Sequence, residues 1–354
     1  MSRPKILVLG GYGDAGRAVI DALRQDDRFD VIAAGRNPKK LKALEDLGIE
    51  VVQLDVRDTA ALEACVRKAG LVVNCVGPYI GTGAEIAAVV QASGAVYIDI
   101  ASEQEHYRRL TRIVEPTGSL VIAGAGAYPG LSGLLLLALL EQHPGATKAE
   151  LALIAGSPAN PDAGGAQSVT AVIELAFPLQ ALRGGGLVSI QPGAHREFFF
   201  PEPFGEREAL VWPQLETLML EPQLTDLETH VALGHAPLPH PWVLRLISWL
   251  RPVPGSLSLR LISRYLGSRR VVEDEATQNQ GAVFASVRQG GEVRTLSVLT
   301  RDLRSATAWL PVLLANRWAD GELVGTGLVH AAQVLPPTEA VKLAKRSSTF
   351  SFED

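Results

Sequence analysis

Lys5-Ile-Leu-Val-Leu-Gly-Gly-Tyr-Gly-Asp-Ala-Gly-Arg17 decides the fold of this 354-residue chain. A short apolar run enters a Gly-rich turn, and a helical pattern follows. Gly11, Gly13 and Gly16 fit G-x-G-x-x-G, while Gly10, Gly13 and Gly16 fit G-x-x-G-x-x-G. Strand, glycine turn and helix in that order predict a dinucleotide phosphate site. One glycine makes the tight turn, one lets backbone approach a pyrophosphate, and one lets helix and strand pack closely. The N–H groups at the helix start then face the anion. The expected contacts are Gly10, Gly11, Tyr12, Gly13, Asp14, Ala15 and Gly16.

Working outward, strands and helices alternate. Helices are expected over 14–24, 39–47, 59–68, 84–93 and 103–114. After the first strand, further strands are expected over 30–35, 50–54, 71–76, 96–100 and 120–123. The strand runs are almost continuously apolar, as when both faces of a sheet are covered. Regular β-α alternation argues for an α/β domain with a doubly wound parallel sheet, a Rossmann architecture.

The end of the second strand reports on cofactor choice. A site for NAD places Asp or Glu there, to bond the ribose 2′-OH. This chain has Gly35-Arg36-Asn37-Pro38-Lys39-Lys40. Arg36 suits a 2′-phosphate, with Asn37 and Lys40 beside it, so NADP is expected and NAD remains possible. Lys39 and Lys40 also read as the solvated face of a helix. Asp55 and Val56 end the third strand, near the adenine by analogy; Asp55 is equally a cap for the next helix. The fourth strand runs into Asn74-Cys-Val-Gly-Pro-Tyr79, and strand ends of this kind line the ligand crevice. Asn74, Val76, Gly77, Pro78 and Tyr79 are therefore expected at the cofactor. Tyr79 is either a wall of the site or a packed aromatic. Ala101 and Ser102 follow the fifth strand in the same way. Of Asp99, Ser102 and Glu103, one reads as a helix cap.

Bulk properties fit a soluble enzyme of two domains. Hydrophobic residues make up 47% of the chain, enough for two cores. A net charge of −5 gives no reason to expect nucleic acid. Cys65 and Cys75, the only cysteines, read as reduced thiols, which suits a cytoplasmic location. The N-terminus has no signal-peptide pattern, and no metal-ligand spacing is present. The apolar run of 131–140 is too short for a membrane span.

GGYGDAG, GR, LDV, NCVGPY, YIDIASE and AYPGLSG, in that order, resemble the saccharopine dehydrogenase-like superfamily of NAD(P)-linked oxidoreductases. The resemblance runs from Lys5 to about Glu141. It is looser at Gly165-Ala-Gln-Ser168, Arg183-Gly-Gly-Gly186 and Phe200-Pro-Glu-Pro-Phe-Gly205, which echo uncharacterised members. It implies a Rossmann domain over 1–126, a mixed α/β substrate or oligomerisation domain over 127–304, and a C-terminal segment, 305–354, returning to the first domain. It also implies that Tyr128-Pro-Gly-Leu-Ser132 lies beside a nicotinamide. The polar tail, 342–354, is expected to fray.

In the second half, a helix is expected over 131–142, a strand over 148–155, a turn over 157–165 and a helix over 167–177. Residues 188–203 read as strand-rich, 281–289 and 292–300 as a hairpin, and 305–317 as a helix. Phe198-Phe-Phe200 is a buried strand or the wall of a pocket. From Thr229 to Val272 there are six arginines and no acidic residue, interleaved with Trp242, Trp249 and several leucines. A basic amphipathic segment of this kind lies on an anionic membrane or packs against protein. Packing is the expectation, in the form of a homo-oligomer, dimeric through 229–272, with membrane contact unexpected.

Hydride transfer to a small carbonyl or imine needs a proton donor within reach. Tyr128, Glu103 and Tyr79 are the candidates by position, with Asp99 and His106 nearby. None stands in a Tyr-x-x-x-Lys pair, so short-chain dehydrogenase chemistry is not supported. A cofactor-binding sensor without turnover and a lipid-associated reductase are the alternatives.

Overall fold

The computed structural model describes residues 3–25, 27–155, 179–190, 195–212, 214–220, 224–232, 242, 246, 249, 277 and 279–353. The turn expected over 157–165, the helix over 167–177, and residues 233–272 apart from Trp242, Leu246 and Trp249 lie outside them. Two compact units form. The first comprises 1–131 and 304–335, the second 132–303 and 336–354.

The first unit alternates β1 (Lys5–Leu9), α1 (Asp14–Gln25), β2 (Asp30–Gly35), α2 (Pro38–Glu45), β3 (Glu50–Gln53), α3 (Thr59–Val66), β4 (Leu71–Asn74), α4 (Tyr79–Ala92), β5 (Val96–Asp99), α5 (Gln104–Ile113) and β6 (Val121–Ala123). The elements of the second unit in chain order are α6 (Leu131–Gln142), β7 (Lys148–Ala155), β8 (Leu179–Arg183), β9 (Gly186–Ile190), β10 (His195–Phe200), β11 (Gly205–Val211), α7 (Glu216–Met219), β12 (Asp226–Ala232), β13 (Gly281–Gln289) and β14 (Glu292–Thr300). The chain then adds α8 (Leu303–Ala319), β15 (Leu328–His330) and α9 (Ala331–Val334) to the first unit. It ends on α10 (Pro337–Arg346) and β16 (Phe350–Glu353) in the second.

The first sheet has seven parallel strands in the order β15-β6-β5-β4-β1-β2-β3. The first six strands follow the doubly wound order, with the topological switch between β1 and β4. Ile6, Leu7, Val8 and Leu9 are fully buried, as are Leu71, Val72 and Val73. Each such side chain contributes about 1.5–3 kcal/mol on burial, so these central strands anchor the unit. β15 is a strand the sequence pattern did not suggest. It is three residues long, too short to show a period, and is fixed by pairing Leu328 with Val121 and His330 with Ala123.

The second unit holds a mixed nine-stranded sheet, β10-β11-β12-β7-β13-β14-β16, with β8 and β9 added beside β12. Along β10 the side chains alternate. Phe198 and Phe200 are buried with Phe204, Ala152, Ala209 and Ala282, whereas Phe199 is 71% exposed. Leu134, Leu135, Leu136 and Ala138 of α6 are fully buried, which accounts for its apolar composition.

Three expectations are corrected. α4 starts at Tyr79, not at 84, and its Gly83 packs directly on the His106 ring. The tail does not fray, nor does all of 305–354 return to the first unit. Phe350 and Ala344 are buried, and β16 pairs with β14, Phe350 opposite Thr300.

Candidate functional site

The Gly-rich turn joins β1 to α1 at the switch point. Gly10 N–H and Gly11 N–H both donate to Ala34 O, at 2.9 and 3.1 Å, and Gly13 N–H donates to Gly10 O at 2.9 Å. A Cβ on Gly16 would lie 2.3 Å from Gly10 O, so any side chain there would push the helix off the turn. α1 starts immediately after, with Asp14 and Ala15 in its first turn, where N–H groups lack partners within the helix. The N–H groups of Gly10, Gly11 and Gly13 hold the turn itself, and the start of α1 is the part that fits a pyrophosphate.

One flank is the end of β2. Tyr12 folds over Gly35, and its hydroxyl accepts from Arg36 N–H at 3.2 Å and Asn37 N–H at 3.4 Å. Asn37 caps α2, accepting from Lys39 N–H and Lys40 N–H at 3.0 and 3.3 Å. Pro38 occupies the first helical position, where its missing N–H costs nothing. Tyr12, Arg36, Asn37, Pro38 and Lys39 line an open cleft of about 670 Å³. Asp55 does not cap the next helix; Asp58 does, accepting from Ala61 N–H at 3.0 Å. The Arg57 guanidinium instead grips Asp55 and holds its carboxyl well below the usual range, with Arg36 adding a smaller push in the same direction.

The other flank, at the ends of β4, β5 and β6, is buried and densely bonded. Asn74 Nδ2 donates to the Tyr97 hydroxyl at 2.9 Å, and Asn74 Oδ1 accepts from Val76 N–H at 3.0 Å. The Gly77–Pro78 peptide is cis, and α4 follows directly. Tyr79 donates from its hydroxyl to Asn74 O at 3.0 Å, while its own N–H donates to Glu103 Oε1 at 3.0 Å. Glu103 Oε2 accepts from Ser102 N–H at 3.1 Å. Asp99 Oδ1 accepts from Ala101 N–H at 3.1 Å and Gly124 N–H at 2.8 Å; Asp99 Oδ2 pairs with His106 Nε2 at 2.8 Å. Burial pushes the Glu103 carboxyl up, and it holds the Tyr79 and Tyr97 phenols well above their ordinary value. The Cys75 thiol is pushed up to about 12 by burial.

The structure thus brings the expected residues to one edge of one sheet, with differing roles. Tyr79 and Glu103, expected as proton donors, are buried and committed to holding the turn after β4. Glu103 opens α5 by position, but its side chain makes no cap bond. Tyr128 is half-buried in a tight segment where Gly126 N–H donates to Pro129 O at 2.9 Å. Tyr97 was missed: a tyrosine inside an apolar strand carries no signal of its polar partner. In the second unit, Glu216 is fully buried against the Ser132 hydroxyl, and burial raises its carboxyl pKa. His230 is packed on Phe198, with its pKa lowered by burial to about 4. Among the described residues, no group of His, Cys, Asp and Glu could hold a metal ion, and no helix is long and apolar enough to cross a membrane.

Residues 6–122 match the family model of the saccharopine dehydrogenase NADP binding domain. The first domain belongs to that family. The chain is 28% identical over 152 residues to a probable mitochondrial saccharopine dehydrogenase-like oxidoreductase of Arabidopsis thaliana, covering 37% of this chain and 34% of the plant protein. It is 30% identical over 120 residues to a saccharopine dehydrogenase-like oxidoreductase of Rattus norvegicus, covering 28% of each. A lipid droplet localized protein of Caenorhabditis elegans matches at 27% over 143 residues, 36% of this chain and 34% of the worm protein. The chain therefore spans about a third of the length of the curated relatives it matches. Apo saccharopine dehydrogenase (L-Glu forming) from Saccharomyces cerevisiae superposes with a TM-score of 0.64 over 99% of both chains, at 14% identity, a likeness of fold.

Proposed function

We propose that this protein is an oxidoreductase that uses NADPH to reduce a small carbonyl or imine substrate. The reading rests on one observation above all: the end of β2 carries Arg36 over an open cleft with Lys39, where a site for NAD would carry a carboxylate. The oxidoreductase part is supported by the family of the first domain and by the relatives that share it.

A bound NADPH would supply the hydride. The chain's own residues bind and orient it. The turn at Gly10–Gly16 takes the pyrophosphate, and Arg36, Asn37 and Lys40 take the adenosine end. Asp55 and Val56 flank the adenine. Asn74, Val76, Gly77 and Pro78, with Ala101 and Ser102, shape the place for the nicotinamide ribose. Tyr128, in the segment that the family resemblance sets beside a nicotinamide, is the proposed proton donor, through its hydroxyl.

Titration with NADPH and NADH, followed by cofactor fluorescence, tests the first step. Tighter binding of NADPH is expected; a preference for NADH sinks the Arg36 argument. A panel of ketones, enones and oxo acids with amines then separates an enzyme from a cofactor-binding sensor. With a substrate in hand, Tyr128→Phe is expected to lower turnover about 100-fold, and unchanged turnover removes Tyr128 as the donor.

The small-molecule substrate, a cytoplasmic location and a homodimer built through 229–272 belong to the same proposal; the last two rest on sequence. A lipid-associated reductase is the second reading. Trp242, Leu246 and Trp249 are helical, spaced i, i+4, i+7, and 60%, 45% and 77% exposed. Their segment of sequence has six arginines and no acid. Flotation with anionic vesicles, comparing wild type with Trp242→Ser/Trp249→Ser, tests it. Equal flotation removes the lipid reading, and a change in sedimentation instead of flotation favours the dimer.

A further inference from the structure

The backbone donors around the cleft at the end of β2 are already used. Arg36 N–H and Asn37 N–H go to the Tyr12 hydroxyl, and Lys39 N–H and Lys40 N–H go to Asn37 Oδ1. Pro38 has no N–H. In the molecule as described, an anion in this cleft is met by side chains, not by the start of α2. Arg36 and Lys39 supply charge from the rim. A phenol has one proton to donate and two lone pairs to accept with. At Tyr12 both accepting positions face backbone N–H groups, which leaves the hydroxyl proton for the cleft. Two incoming N–H bonds also polarise the O–H and strengthen it as a donor.

The ring lies on Gly35 so closely that a Cβ there would be 2.3 Å from Cε1 and 2.8 Å from Cδ1. Lys40 Nζ stands over the ring, 5.7 Å from its centroid. Tyr12 is also a member of the pyrophosphate turn, so it ties that turn to the end of β2.

We propose that Tyr12 is a specificity-determining residue, whose hydroxyl, pinned by two backbone N–H groups, donates to the 2′-phosphate of the adenosine. The inference rests on the NADPH reading above. It assigns to a residue of the glycine turn a discrimination usually left to the residue after the second strand.

Calorimetric titration with two fragments tests it without turnover: adenosine 2′,5′-bisphosphate, and adenosine 5′-monophosphate, which lacks the 2′-phosphate. Wild type is expected to prefer the bisphosphate. Tyr12→Phe is expected to cut that preference about tenfold, the worth of one hydrogen bond to a charged acceptor, and to leave the monophosphate affinity within about twofold. Gly35→Ala, which displaces the ring but keeps the phenol, is expected to show the same selective loss. An undiminished preference in Tyr12→Phe overturns the inference while the cofactor reading stands. Equal loss for both fragments assigns Tyr12 to shaping the turn, which also overturns it. A wild type that binds both fragments alike overturns the NADPH reading and this inference together.

Discussion

The two flanks of the glycine turn are built on opposite principles. At the end of β2 the polar groups are exposed, and three side-chain acceptors are answered from within three residues, Asn37 by Lys39 N–H, Asp55 by Arg57 and Asp58 by Ala61 N–H, while the Tyr12 hydroxyl reaches further, to Arg36 N–H and Asn37 N–H. At the ends of β4, β5 and β6 the polar groups are buried, and beside local partners each has one 23 to 25 residues away: Asn74 with Tyr97, Tyr79 with Glu103, Asp99 with Gly124. Exposed groups trade a protein bond for water at little cost, whereas a buried group left unpaired forfeits its full solvation. The first flank is therefore free to vary with the ligand it meets. The second is a buried, cross-braced frame.

Mutations should break this contrast in a graded way. Asp99→Ala is expected to have the largest effect on stability. It strands the N–H groups of Ala101 and Gly124 and the Nε2 of His106 at once. Removing one side of such a buried charged network costs about 3–5 kcal/mol. Urea unfolding checks it; a loss below about 1 kcal/mol, the range of surface changes, would mean the network is not structural.

Acid should attack the same buried flank next. His330 ends β15 beside Ala123, and burial holds its pKa down at about 4, from an ordinary 6.5. Between those values the unfolded chain takes up a proton that the folded chain refuses. Stability is therefore complete above pH 6.5 and is lost as pH falls towards 4, by about 3 kcal/mol for this one group. His230 in the second unit adds a loss of the same sign. His330→Asn, which keeps a short polar side chain at the start of α9, is expected to flatten the slope between pH 7 and about 4.5 in urea unfolding. An unchanged slope would assign the acid sensitivity elsewhere.

This contrast also explains what the sequence disclosed. The Asn37-Pro38 helix start is a local statement, in which a residue and its partners lie within a few positions, and the glycine turn and Arg36 are read from position along a strand-turn-helix pattern. They are legible because backbone geometry alone demands those residue types. Tyr97, Asp99 and His106 form a site only after β4 and β5 pair with Asn74 opposite Asp99. No spacing in one strand announces a register between two. Tyr79 and Glu103 read as proton donors because strand ends collect catalytic groups; the structure shows both buried with backbone partners. The tail misled for a related reason. Its polar residues outnumber Ala344 and Phe350, yet those two are buried.

The exposed flank should give smaller numbers. Asn37→Ala removes the cap of α2 and is expected to cost about 1 kcal/mol. Part of that loss should return in Asn37→Asp, which caps as well but sets a carboxylate in the cleft; NADPH should then bind less tightly while stability is kept. Thermal unfolding beside cofactor titration separates the two effects, and parallel losses of stability and binding would erase the distinction.

Arg36→Ala sharpens the comparison furthest, because its expected effect on stability is within about 0.5 kcal/mol. The side chain is exposed and has no ion pair among those found between described residues. Its contribution is held for the ligand: about 1.5–3 kcal/mol for charged hydrogen bonds to a phosphate, or a loss of tenfold or more in NADPH affinity with NADH unchanged. If Arg36→Ala lowers the melting temperature as much as it lowers affinity, the end of β2 is framework like the other flank. If affinity alone moves, the fold has put its stability in the buried bonds and left recognition to a side chain that the folded chain can do without.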